Sequence, residues 1–271
     1  MGAGAAVLLG LVALGGGLTA GAVLTDSVGP VTDRFNLLIE AADPATDGIE
    51  ASLPAEEPEP RLPEAPPAIP ASVDVDAIRA DGLSVADHYA GVLSTAVPTS
   101  ASGTLVVVPG SEAAPNPERL VRTVRVEVEA GLDVNPQAFA DFVMETLNDP
   151  RGWGGDGSIS FARTDGAAHI RVVLASPNKV DAMCAPLYTH GDYSCGRYGH
   201  AAINYTRWVQ ATDEFPDRTL YRRYVVNHEV GHLLGHQHGA CPGAGQLAPI
   251  MQQQSIRVAP CTPNAWPFPG A

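Results

Sequence analysis

No aspartate or glutamate occurs from Val230 to Ala271, in a chain whose 30 acidic residues outnumber its 16 basic ones. A site built by that C-terminal stretch has no carboxylate to draw on, so its donors must be histidine or cysteine. Lysine is almost missing as well: Lys179 stands alone beside fifteen arginines. The net charge is −14 and the pI about 4.8, which argues against nucleic acid as a partner. The four cysteines, Cys184, Cys195, Cys241 and Cys261, contain no C-x-x-C pair, and this argues against a thiolate zinc site.

What the chain does contain is His228-Glu229-Val230-Gly231-His232-Leu233-Leu234-Gly235-His236-Gln237-His238, which reads H-E-x-x-H-x-x-G-x-x-H. The short form H-E-x-x-H would arise by chance in about 1% of chains of this composition, and the full string in roughly 3 in 100,000. The longer form therefore carries the weight. His228 and His232 fall one turn apart on one helix face. Glu229 lies about 100° further round, close enough to hold a metal-bound water. Gly235 ends the helix by taking a left-handed conformation cheaply, and the turn brings His238 back towards the same metal. Of the downstream donors His236, His238, Cys241 and Cys261, His238 has the required offset, while His236 reads as a partly exposed neighbour.

These residues resemble the metzincin zinc peptidases, whose pattern is this string followed by a Met-containing turn. Ala248-Pro249-Ile250-Met251-Gln252 fits such a turn. Together with Val225-Val226-Asn227 before the motif and Cys241-Pro242-Gly243 after it, the segment looks like an uncharacterised family of secreted actinobacterial metzincin-like domains. The likeness runs from about Gly103 to Phe268. It implies an α+β fold: a metzincin-like mixed sheet, a long zinc-binding helix, a Met-turn and a reduced C-terminal subdomain. It implies Zn2+ held by His228, His232 and His238, Glu229 as general base, Met251 as an apolar floor, and a peptide or protein substrate. Two other readings stay open: a zinc hydrolase of another amide such as cell-wall peptide, and a non-catalytic zinc-stabilised binding domain. Gln252 stands where some metzincins carry a tyrosine, so any second oxyanion donor must come from elsewhere. The short tail after Met251 contains Pro260, Pro263, Pro267 and Pro269, so the usual C-terminal helix is short or absent.

Residues 2–25 form an uncharged apolar run with seven glycines, too glycine-rich for a soluble helix. It reads as an N-terminal membrane anchor or as a cleaved signal peptide, with Ala20-Gly21-Ala22 as the A-x-A site. Either reading places the catalytic region outside the cytoplasm, at the cell membrane or secreted. Four cysteines allow three pairings. Cys184–Cys195 and Cys241–Cys261 are expected, because each closes a local loop.

Residues 26–101 read as an acidic, largely disordered linker: ten acidic residues face two arginines from Asp26 to Pro70, and seven prolines fall in residues 51–70. A short helix is expected within residues 74–97, and a compact domain over residues 102–271. Thr104 to Val108 and Arg122 to Glu129 read as strands, the second alternating with one polar face. Asn135-Pro136 opens a helix running to about Leu147. Ser158 to Arg163 and Ala168 to Ala175 read as strands, followed by a loop carrying Cys184 and Cys195. His200 to Tyr205 is a strand, and Asp217 caps the helix that carries the motif. His190 and His200 bracket a Gly/Tyr-rich edge segment that would line a cleft. Trp153, Trp208 and Trp266 read as packing residues, and His88 and His169 as incidental.

Overall fold

The computed structural model describes residue 74 and residues 77–271. The apolar run and most of the acidic segment lie outside the described residues. The fold is mixed α+β, with one mixed six-stranded sheet and five helices among the described residues. In chain order these are α1 (Val85–Tyr89), β1 (Leu105–Val107), β2 (Leu120–Glu129), α2 (Pro136–Asn148), β3 (Ile159–Arg163) and β4 (Ile170–Ala175). Next come α3 (Pro177–Cys184), β5 (Cys195–Arg197), β6 (His200–Asn204), α4 (Tyr205–Gln210) and α5 (Arg218–Leu233).

The sheet order is β1-β2-β4-β6-β5. β2 is long enough to serve two partners in parallel. Its first half pairs with β3, from Leu120↔Ile159 to Val124↔Arg163. Its second half pairs with β4, from Val124↔Ile170 to Val128↔Leu174. β4 and β6 are also parallel, and the outer strands β1 and β5 run antiparallel to their neighbours. Alternation in β2 sends Val124, Val126 and Val128 into the main core with Phe139, Phe142, Trp208, Val226 and Val230. The core lies between the sheet and the helices α2 and α5. Asn135 caps α2 by accepting from the Ala138 N–H at 3.1 Å, with Pro136 at the first helical position.

Several expectations change. The polar face of β2 holds its two glutamates away from solvent. Glu127 is buried between Arg125 at 2.9 Å and Arg171 at 2.7 Å, and Glu129 accepts from the Ser176 and Gly103 N–H groups. The segment between β4 and β5 is not a plain loop. It opens with α3, whose Val180 and Cys184 form a second small core with Val173, Ala175, Cys195 and Ala202 on the far side of the sheet. α4 follows β6 directly, with Asn204 as its cap. The compact fold starts ahead of Ser102, because Leu83, Ala90 and Val92 are fully buried in the main core. Within that early segment the expected short helix is α1. Asp87 of α1 is held by Arg222 of α5 at 2.6 Å, and the Trp208 indole donates to the Ala90 carbonyl.

The expected transmembrane helix is corrected. No helix among the described residues is long and apolar enough to cross a membrane. α5, with 16 residues, spans only about 24 Å and carries arginine, histidine and glutamate. The apolar run at residues 2–25 lies outside the described residues.

Candidate metal centre

The site is built on the end of α5. Asp217 caps its start by accepting from the Leu220 N–H at 2.7 Å. The helix stops where the spacing predicts. The His236 N–H reaches back to the Gly231 carbonyl at 3.0 Å, and the Gly235 N–H to the His232 carbonyl at 3.1 Å. Gly235 itself sits at φ +96°. This 6→1, 5→2 pair closing on a left-handed glycine reverses the chain immediately after the helix. His238 then folds back, and the Gly239 N–H ties it down on the Met251 carbonyl at 3.0 Å.

Ring nitrogens of His228, His232 and His238 consequently lie within 4.8 Å of one another. The His232 and His238 Nε2 atoms are 3.1 Å apart. Two backbone carbonyls orient the rings: His228 Nδ1 donates to Ile250 O at 2.9 Å, and His232 Nδ1 donates to His236 O at 3.0 Å. A carbonyl can only accept, so each Nδ1 carries the proton and each Nε2 presents a lone pair. Burial pushes the His228 pKa down to about 3 and holds those of His232 and His238 below the usual value. All three are therefore neutral imidazoles near pH 7, the form able to hold one metal ion.

His236 does not join them. Its ring stacks on Trp153 at 4.3 Å, and its contribution is the carbonyl that orients His232.

Glu229 is buried beside the cluster and makes no hydrogen bond or ion pair among the described residues. Burial alone pushes its carboxyl up to about 8. It lines a cleft of about 480 Å³ with the three histidines, Tyr224 and the edge strand β5. Two glycines allow this packing. At Gly196 in β5, a Cβ would sit 2.0 Å from the Glu229 carbonyl oxygen; at Gly231, it would sit 2.6 Å from both Met251 Sδ and the Trp153 ring. The edge strand, Trp153 and Met251 thus close on α5 only because those positions have no side chain.

Pro249 to Gln252 form a turn closed by the Gln252 N–H to Pro249 O at 2.9 Å. Met251 is buried in it. Gln252 is also buried, donating to the Arg257 and Val258 carbonyls, and it does not line the cleft. The rest of the C-terminal wall is held by side-chain amides. Gln254 and Asn264 exchange hydrogen bonds, Asn264 holds Ala248 and Trp266, and Asn227 of α5 donates to Ala265 O. Disulfides join Cys184 to Cys195 and Cys241 to Cys261, the pairs expected from loop closure.

Of the remaining residues singled out from the sequence, His190 lines the cleft. His200 is buried with its Nε2 on Met183 O and does not line the cleft. His88 meets Asp81 and His169 meets Thr123, both away from the cluster. Trp208 and Trp266 pack as read, Trp266 under Arg151. Trp153 does more than pack: its indole donates to the Asn227 carbonyl of α5 at 2.9 Å. Nothing in the sequence marks that contact across 74 positions. Tyr224 is not singled out from the sequence, although its place four residues before His228 puts it on the same helix face. Its hydroxyl donates to Gln252 O and accepts from the Gln254 N–H.

A family model described as "Protein of unknown function (DUF3152)" matches residues 92–269. No curated protein matches the chain, and neither does any solved structure.

Proposed function

We propose that this chain, which belongs to the DUF3152 family, is a secreted zinc-dependent peptidase of the metzincin type. The observation that carries the reading is a neutral three-imidazole cluster with an unpartnered, buried carboxylate beside it at the edge of a cleft. Three imidazoles with a free fourth side form the donor set of a catalytic zinc. The Ile250 and His236 carbonyls supply the outer hydrogen bonds that such ligands need.

Bound there, zinc supplies a water that ionises near neutral pH and polarises the scissile carbonyl. Glu229 takes a proton from the attacking water and returns it to the amine as the C–N bond breaks. A raised carboxyl suits the donating half of that exchange, and the accepting half calls for the ionised carboxylate, the form that a cation bound beside it favours. Met251 supports the turn whose Ile250 carbonyl orients His228, the part a Met-turn plays. The reduced C-terminal subdomain corresponds to the stretch after Leu233, which carries no helix among the described residues. A non-catalytic zinc site fits less well, because structural binding gives no reason to bury Glu229 without a partner. The two disulfides suit an oxidising compartment.

Cleavage of an unbiased peptide library, with and without a chelator, tests the activity. Chelator-sensitive cleavage is expected, and an uncleaved library with zinc bound would remove the peptidase reading. His238→Ala should lower zinc content by elemental analysis, whereas unchanged zinc would point to another third ligand.

A further inference from the structure

The cleft carries large apolar side chains where a surface loop would ordinarily be polar. Leu187 is 52% exposed, Tyr188 67% and Ile256 53%, and all three line it. The Tyr188 and His190 rings contact at 4.3 Å between centroids.

This exposure does not come from a loosely held loop. Asp181 Oδ1 accepts from the Thr189 N–H, the Gly191 N–H and the Thr189 hydroxyl. Asn204 Nδ2 donates to Gly191 O at 2.8 Å, and Arg207 Nε donates to Asp192 O at 2.8 Å. Thr189 is buried, which turns its neighbours Tyr188 and His190 outward. His190 holds φ +59°, a conformation that a non-glycine residue adopts at a cost. The segment bearing Ile256 is fixed too: Gln252 holds the Arg257 and Val258 carbonyls, and the Val258 N–H donates to Glu214.

Charge narrows what this surface can receive. Apart from the histidines, the charged residues lining the cleft are Glu229 and Arg197. Arg197 already donates to Cys184 O and to the Tyr198 hydroxyl, and its guanidinium lies 4.2 Å over the Tyr198 ring. Glu229 is thus the one acidic group facing a cationic side chain, while Arg197, held against its own neighbours but without an ion pair among the described residues, makes an acidic side chain the competitor to be tested.

We propose that Leu187, Tyr188, His190 and Ile256 form a pre-built subsite for a bulky uncharged side chain, aromatic by preference, on a substrate peptide. The proposal rests on the peptidase reading for its choice of ligand. Burying an aromatic ring on such a surface favours it over alanine by about tenfold or more in affinity.

The test uses the full chain carrying Glu229→Gln, loaded with zinc, and blocked octapeptides differing at one position among Phe, Ala, Glu and Lys. Fluorescence anisotropy should show the Phe peptide binding about tenfold tighter than the others. The double variant Tyr188→Ala/Ile256→Ala should erase the difference while keeping the zinc and the thermal midpoint. Equal affinity for all four peptides, no binding, or a preference that survives the double variant would each overturn the subsite. Hydrolysis by the parent is scored separately. Discrimination without hydrolysis leaves the subsite and removes the peptidase, and hydrolysis without discrimination does the reverse.

Discussion

At the residue scale, the decisive groups are those whose protonation the fold sets. The Ile250 and His236 carbonyls fix two histidine tautomers, and burial keeps the imidazoles neutral. Asp87 shows the opposite balance. Burial works against its carboxylate, but the Ser84 N–H and the Arg222 guanidinium outweigh it and hold the pKa below its usual value. A carboxyl depressed on folding stabilises above its unfolded pKa, about 3.9, and loses that contribution as pH falls through the folded value. Asp87→Asn should therefore lower the thermal midpoint clearly at about pH 6, with the gap to the parent closing towards about pH 3. A gap of the same size at both pH values would show that this ion pair is not what the residue contributes.

At the element scale, α5 collects its neighbours through positions that lack side chains. Gly196 lets β5 lie on the backbone at Glu229, and Gly231 lets Met251 and Trp153 close on the helix. Gly196→Ala places a methyl into the Glu229 backbone, which cannot swing away as a side chain could. It should cost roughly 1–3 kcal/mol in urea unfolding. A neutral result would mean that β5 and α5 are free to separate. These contacts also mark the limit of what the sequence discloses. The three histidines, Gly235 and Glu229 are local to one helix and its turn, so spacing alone reveals their geometry. β2, α2 and β4 were legible for the same reason, since periodicity and caps are local signals. Trp153 reaches α5 from 74 positions away, and Glu127 finds Arg171 across the sheet, so nothing local announces either. The alternation in β2 reveals a polar face but not its burial, because a buried, paired glutamate and an exposed one look alike in sequence.

At the scale of the whole molecule, the fold reaches beyond the residues that carry the motif. α1 precedes the family match yet supplies Asp87 to Arg222 of the motif helix, and Ala90 receives the Trp208 indole. The C-terminal wall, without a helix among the described residues, is built on Asn and Gln side chains that hold backbone carbonyls, fastened by Cys241–Cys261. The acid-free tail noted first in the sequence is thus a wall of neutral hydrogen bonds around a site whose nearby carboxylate is Glu229. The most direct test compares the parent with Glu229→Gln side by side, measuring zinc content and peptide turnover on the same samples. The account predicts one zinc in each and turnover in the parent alone. Glu229→Gln cleaving at the parent rate with its zinc in place would contradict it.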